Sequence, residues 1–145
     1  MFFLKSLPTE AMISRHRNDL GETSESEILE VLTELRRASQ TIRSVDAYFS
    51  DHGLSLLKFL ILIVIDRESG RDWLQYSEIA DRIDVSKPVL TRTISSLIDS
   101  QRLEAFGDPS DKRVRRYKLT QSGQAELDGL MAGYFEVLLR AHRDT

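Results

Sequence analysis

Apolar residues recur at Ile28, Val31, Leu32, Leu35, Ile42, Val45 and Phe49, with mostly charged residues between them. Steps of three, four and seven trace one face of a helix, here close to a heptad seam. The pattern predicts a long helix over 24–50. Ser24 and Glu27 stand at the S-x-x-E spacing of a capping box at its start. A stripe of this kind near one end of a chain packs either on its own domain or on a second subunit. Residues 1–23 carry Pro8, Gly21 and mixed polar residues, and predict an arm or a short helix.

His52-Gly53 breaks the long helix. From Leu54 to Arg67 the chain is apolar on nearly every side, interrupted by Ser55 and Lys58. So β-branched a run is compatible with a buried strand, but its length and Lys58 favour a buried core helix. Ser77–Ile83 then predicts a short helix with Ile79, Ala80 and Ile83 inward. Ser86 is a good N-cap for the next helix, and Pro88 falls in the first turn, where its missing N–H does no harm. Val89, Ile94, Leu97 and Ile98 are expected inside that helix, with Lys87, Thr91, Arg92 and Ser95 on the opposite face. Two short helices with a tight join, the second polar outward, form the helix-turn-helix pattern.

Arg102–Phe106 and Val114–Leu119 are short candidate strands around a turn segment, Gly107–Arg113, marked by Gly, Asp, Pro and Ser. A β-hairpin directly after the second helix makes the layout a winged helix-turn-helix. Thr120 caps a last helix running to Arg143. Its apolar face is Ala125, Leu127, Leu130, Met131, Tyr134, Val137, Leu138 and Ala141, and its basic tail complements the helix dipole. The fold class is therefore mainly α with a small β-hairpin wing, in one domain of 145 residues.

Composition narrows the chemistry. There is no cysteine, which excludes disulfides, thiolate metal sites and thiol redox sensing. His16, His52 and His142 lie far apart without ligand spacing, so no metal or cofactor is expected. The start, MFFLKSLP, is too short in apolar residues for a signal peptide. The run from Leu54 to Ile65 is too short to cross about 30 Å of hydrocarbon. A cytoplasmic protein with no membrane partner is expected.

Charge is uneven. The chain is net −3. Between Arg82 and Thr120, however, nine bases face five acids, a local +4 inside a remainder of −7. A basic segment in an acidic chain suggests a polyanion-binding face, although a solvated surface would show the same charge. The helix pattern supplies what charge alone does not. Arg92 can pair bidentately with guanine O6 and N7, Thr91 can touch a thymine methyl, and Ser86, Lys87 and the free N–H groups of the helix start can hold phosphates. On the hairpin, Asp111 can fix the guanidinium of Arg113 by a bidentate salt bridge, and an oriented arginine suits the narrow minor groove. Arg115, Arg116 and Lys118 supply phosphate charge behind it.

The stretches "DPSDKRVRRYKLTQSG" (108–123) and "SEIADRIDVSKPVLTRTISSLIDS" (77–100) resemble the wing signature and helix-turn-helix of the multiple antibiotic resistance regulator (MarR) family, over about Glu27 to His142. "HGLSLLKFLILIVI" (52–65) fits the apolar helix that precedes them. Gln101 stands where that family usually has Gly, and Ala105 where it often has Arg. The resemblance implies a homodimer whose first and last helices, 24–50 and 120–143, interlock around a DNA-binding lobe at 54–119. It implies a wing Asp at Asp111, a tip arginine at Arg113 and a base-contacting arginine at Arg92. The DNA-facing set is then Ser86, Lys87, Pro88, Thr91, Arg92, Ser95, Asp111, Lys112, Arg113, Arg115 and Arg116. The resemblance also implies a pocket for a small aromatic or phenolic effector, for which Tyr48, Phe49, Phe59, Trp73 and Tyr134 are candidates; plain core packing accounts for them equally well. Phe2, Phe3 and Leu4 either dock on the partner subunit or stay disordered.

The function expected is a sequence-specific, double-stranded DNA-binding transcriptional regulator: a ligand-responsive homodimeric repressor on a pseudo-palindromic operator. A winged-helix protein-interaction module without DNA binding remains the alternative at this point. No catalytic constellation or phosphate loop stands out, so an enzyme is not expected.

Overall fold

The computed structural model describes residues 6–16 and 25–144. Six helices and a three-stranded sheet follow in the order α1 (Glu10–His16), α2 (Glu25–Asp51), α3 (Leu56–Asp66), β1 (Trp73–Gln75), α4 (Tyr76–Arg82), α5 (Lys87–Asp99), β2 (Leu103–Gly107), β3 (Arg115–Leu119) and α6 (Gln121–Arg143). Ser24, Phe2, Phe3 and Leu4 lie outside the described residues, and with them the expected capping box and the docking of the arm.

The core is built around α3. Ser55 caps it, its hydroxyl accepting from Lys58 N–H at 3.2 Å, and Phe59, Ile61, Leu62, Val64 and Ile65 are all buried. An all-round apolar helix needs neighbours on every side. α3 meets α2, α4, α5, α6 and the sheet. Phe49 of α2 stacks on Phe59 with ring centroids 4.1 Å apart. Tyr48 donates to the Leu130 carbonyl of α6 at 2.8 Å, joining α2 to α6.

The sheet order is β1-β3-β2, all antiparallel. β1 is an addition to the expected hairpin; a three-residue strand leaves no period-two pattern to read. The register alternates cleanly across two faces. Leu74, Tyr117 and Ala105 share the face turned to the core. Trp73, Arg116, Lys118, Phe106 and Glu104 share the other. α6 starts at Thr120 as expected, the hydroxyl accepting from Gly123 N–H at 3.0 Å. A Cβ on Gly123 would lie 2.1 Å from the Arg102 carbonyl oxygen. Backbone passes backbone there, and only glycine fits.

On α5 the expected inner face needs one correction. Leu90, Ile94 and Leu97 are buried, in steps of four and three, whereas Val89 is 38 % exposed. The register that buries Ile94 and Leu97 places Leu90, not Val89, on the same stripe.

Candidate nucleic-acid interface

The start of α5 is set by Ser86 in extended backbone and Pro88 in the first turn. The Ser86 hydroxyl makes no capping bond. Tyr76 of α4 fixes the join instead: its hydroxyl donates to the Lys87 carbonyl at 3.2 Å and lies 3.0 Å from the Thr91 hydroxyl. Ser86, Lys87, Pro88, Thr91, Arg92 and Ser95 are all exposed, as is Val89. Arg92 and Val89 border a cleft of about 260 Å³ with Thr93, Ser96 and Lys58. Lys58, whose only sequence signal is that it interrupts an apolar helix, is thus a cation beside the exposed face of α5.

The turn of the wing is built by its two aspartates. Asp108 Oδ1 accepts from the Ser110 amide at 2.8 Å and the Ser110 hydroxyl at 2.7 Å. These two bonds, with help from Arg116, hold the Asp108 carboxyl below its ordinary pKa. Asp111 Oδ1 accepts from the Arg113 amide at 3.0 Å, an Asx turn of the kind short acceptors favour. The Asp111 carbonyl accepts from Val114 N–H, and the Val114 carbonyl from Asp108 N–H, each at 3.1 Å. The result is a closed tip that leaves Lys112, Arg113 and Arg115 exposed.

Two expectations for the wing are corrected. Asp111 makes no bidentate bridge to the Arg113 side chain: the nearest approach is 3.9 Å, and the arginine side chain is 96 % exposed. The carboxylate is spent on the turn backbone. Nor is Arg116 free to hold phosphate. It donates to Asp108 Oδ2 at 2.8 Å with only 20 % of its side chain exposed. Its guanidinium lies 3.8 Å above the Trp73 ring, and its Nε is buried without a partner.

Pairing divides the basic segment in two. Arg82 pairs with Glu68 at 3.2 Å, Arg102 with Glu126 at 2.6 Å and 2.9 Å, Arg116 with Asp108, and Lys118 with Glu104 at 3.4 Å. Lys87, Arg92, Lys112 and Arg115 form no ion pair among the described residues, and Arg113 has only its long contact with Asp111. The paired cations hold the lobe together. The unpaired ones collect on α5 and the wing tip.

The five aromatic residues named as effector candidates fall in different places in the fold. Phe49 and Phe59 are wholly buried core. Tyr134 packs against both, with centroids 5.6 Å and 4.8 Å away. Trp73 stands on the outer face of the sheet. Tyr48 borders a cleft of about 320 Å³ between α2 and α6 with Ser44, Asp51, Val137 and Arg140.

No family model matches the chain. It is 30 % identical over 134 residues to the HTH-type transcriptional repressor YetL of Bacillus subtilis (strain 168), covering 91 % of this chain and 78 % of that protein. AbsC, a MarR family transcriptional regulator from Streptomyces coelicolor, superposes with a TM-score of 0.77 at 19 % identity, over 84 % of this chain and 82 % of that one. The chain belongs to the MarR family. Another MarR family regulator from the same organism, solved in complex with DNA, matches at TM-score 0.77 and 22 % identity, over 84 % of this chain and 76 % of its own. The MarR wing signature has physical reasons in this chain: Asp108 and Asp111 close the turn, Thr120 caps α6, and Gly123 lets two backbones pass. Where MarR proteins usually carry glycine, Gln101 adopts φ 60°, keeping the left-handed turn with a side chain that disfavours it. No single helix among the described residues is long and apolar enough to cross a membrane.

Proposed function

We propose that this chain is a homodimeric transcriptional repressor that binds double-stranded DNA through α5 and the wing. One observation carries the reading: within the basic segment 82–120, the cations that the fold leaves without a close ion pair lie on the exposed face of α5 and the wing tip, inside an otherwise acidic chain. α5 enters the major groove, where Arg92 reads guanine and Thr91, Pro88 and Ser95 line the base edges. Ser86 and Lys87 hold phosphate at the helix start. Arg113 enters the minor groove, with Lys112 and Arg115 on the flanking phosphates.

The residues left bare on the other helices support a dimer. Val31, Leu35 and Ile42 on α2 are 50–55 % exposed, and Phe135 and Leu139 on α6 are 52 % and 53 % exposed. Large apolar side chains at helical spacing on two adjoining helices call for a covering partner, and a second copy brings its own matching set. Two recognition helices then meet successive major-groove faces of a pseudo-palindrome, about 34 Å apart.

The test is binding of the purified protein to DNA from upstream of its own gene at low salt, with mass measurement of the free protein. Binding that Arg92→Ala and Arg113→Ala each weaken supports the reading. Retention on DNA with neither arginine mattering, or no binding at all, refutes it; the latter outcome favours the protein-interaction alternative.

A further inference from the structure

The outer face of the sheet carries an arrangement that the DNA contacts do not explain. Trp73 is the one tryptophan in the chain, and two guanidinium groups lie against its ring. Arg116 of β3 sits 3.8 Å from the ring centroid and Arg71 sits 4.6 Å from it. Beyond Arg116 comes Asp108 of the wing turn, at 2.8 Å. Beyond Arg71 come Glu78 of α4, bonded through both carboxylate oxygens, and Glu68 after α3, at 3.4 Å. Glu68 also pairs with Arg82 at the end of α4, and Glu78 accepts from Gln75 N–H at 2.8 Å. The order is carboxylate, guanidinium, indole, guanidinium, carboxylate. Each cation contacts both the ring and an anion, so the two like charges held at one indole are each compensated.

We propose that Trp73 is a positioning residue for DNA binding: the Arg116–Trp73–Arg71 stack clasps the base of the wing to the helix-turn-helix and so sets where Arg113 stands relative to α5. This rests on the DNA-binding reading above. β1 is only three residues long, a short backbone seam for holding a protruding hairpin at a fixed angle. The stack spans that seam with side chains, from the wing turn at Asp108 to α4 at Glu78 and Arg82. Arg116 Nε is buried without a partner, so its guanidinium is held by the ring and by Asp108.

The full-length protein is tested as wild type, Trp73→Phe, Trp73→Leu, Arg113→Ala and the Trp73→Leu/Arg113→Ala double variant. Each is checked by thermal melting, and binding to the upstream DNA is measured well below the melting range. If Trp73 acts through the wing, Arg113→Ala costs less affinity in the Trp73→Leu background than in the wild type, by at least about threefold. Trp73→Phe, which keeps a π face, retains most of that coupling. Equal losses in both backgrounds overturn the proposal, because a loss of general stability would leave the two effects additive.

A second readout does not depend on DNA. Trypsin cleavage at Lys112, Arg113 or Arg115 reports how far the hairpin swings free. Trp73→Leu speeds cleavage there in the folded protein, and unchanged cleavage overturns the clasp. A wild type that does not bind DNA at all refutes the DNA reading, while the trypsin comparison still decides the clasp.

Discussion

Asp111 Oδ1 lies 3.0 Å from the backbone nitrogen of Arg113 and 3.9 Å from that residue's Nε. The carboxylate therefore shapes the turn that presents the arginine and does not clamp its side chain. Asp111→Asn keeps a side-chain carbonyl acceptor and is expected to retain most DNA affinity, whereas Asp111→Ala loses the turn bond. A typical hydrogen bond contributes about 0.5–1.5 kcal/mol net, and exposure of this one to water keeps it in that range despite the charged acceptor, so the alanine variant binds a few-fold to about tenfold more weakly, with its melting temperature little changed. Titration of the two variants on one DNA fragment separates this from a bridge to the guanidinium. A bridge would make the asparagine variant as weak as the alanine.

Gly123 and Gly129 sit six residues apart on α6 and predict opposite results. A Cβ at Gly123 meets the Arg102 backbone at 2.1 Å, while one at Gly129 meets nothing within 4 Å. Gly123→Ala must push β2 and α6 apart and costs about 1–3 kcal/mol or more. Gly129→Ala gains helix propensity of up to about 1 kcal/mol. Thermal denaturation of the two variants checks the pair.

Gln101 holds φ 60° between α5 and β2, and its carbonyl accepts from the Thr120 and Ser122 hydroxyls at 2.5 Å and 3.0 Å. The left-handed region costs a side-chain-bearing residue about 1–2 kcal/mol, part of which glycine returns through its greater freedom when unfolded. Gln101→Gly is expected to stabilise the protein by about 0.5–1 kcal/mol, read as a rise of a few degrees in melting temperature.

Acid should loosen the clasp. The Glu78 carboxyl is held below its ordinary pKa chiefly by hydrogen bonds from Arg71, and the Asp108 carboxyl chiefly by those from Ser110. A carboxylate with a folded pKa below its unfolded one adds stability that is fully present above the unfolded value. That stability is lost as pH falls through the folded value. The melting temperature is expected to hold from neutral pH to about pH 5 and to fall below it. Asp108→Asn and Glu78→Gln lower the neutral plateau and flatten the acid limb. Melts across pH for the three proteins measure this.

The parts of the fold with a local signal were legible in the sequence. The α3 run, the Ser86-Pro88 start, the Gly-Asp-Pro-Ser turn and the Thr120 cap each depend on residues within one turn of each other. What was missed depends on which distant elements meet. Arg116 reads as one more free base until the register of β1 on β3 brings Trp73 and the fold of the tip brings Asp108. Lys58 reads as a flaw in an apolar helix until α5 is laid beside it. Val89 and Leu90 are equally apolar, and only the packing of α5 decides which is inside. For the aromatic residues an effector pocket and plain core were equal readings, and Phe49 and Phe59 are core.

The central claim is that the cations left unpaired on α5 and the wing tip bind the DNA backbone. It is tested most directly by the slope of log affinity against log salt, for wild type, Arg115→Ala and Arg67→Ala. Arg67 caps the end of α3 away from Lys58 and serves as the control. Each phosphate contact contributes about 0.9 to the slope. A dimer that loses Arg115 twice should therefore show a slope shallower by about 2, with Arg67→Ala unchanged. A wild-type affinity indifferent to salt, or an Arg115→Ala slope equal to wild type, would contradict the account.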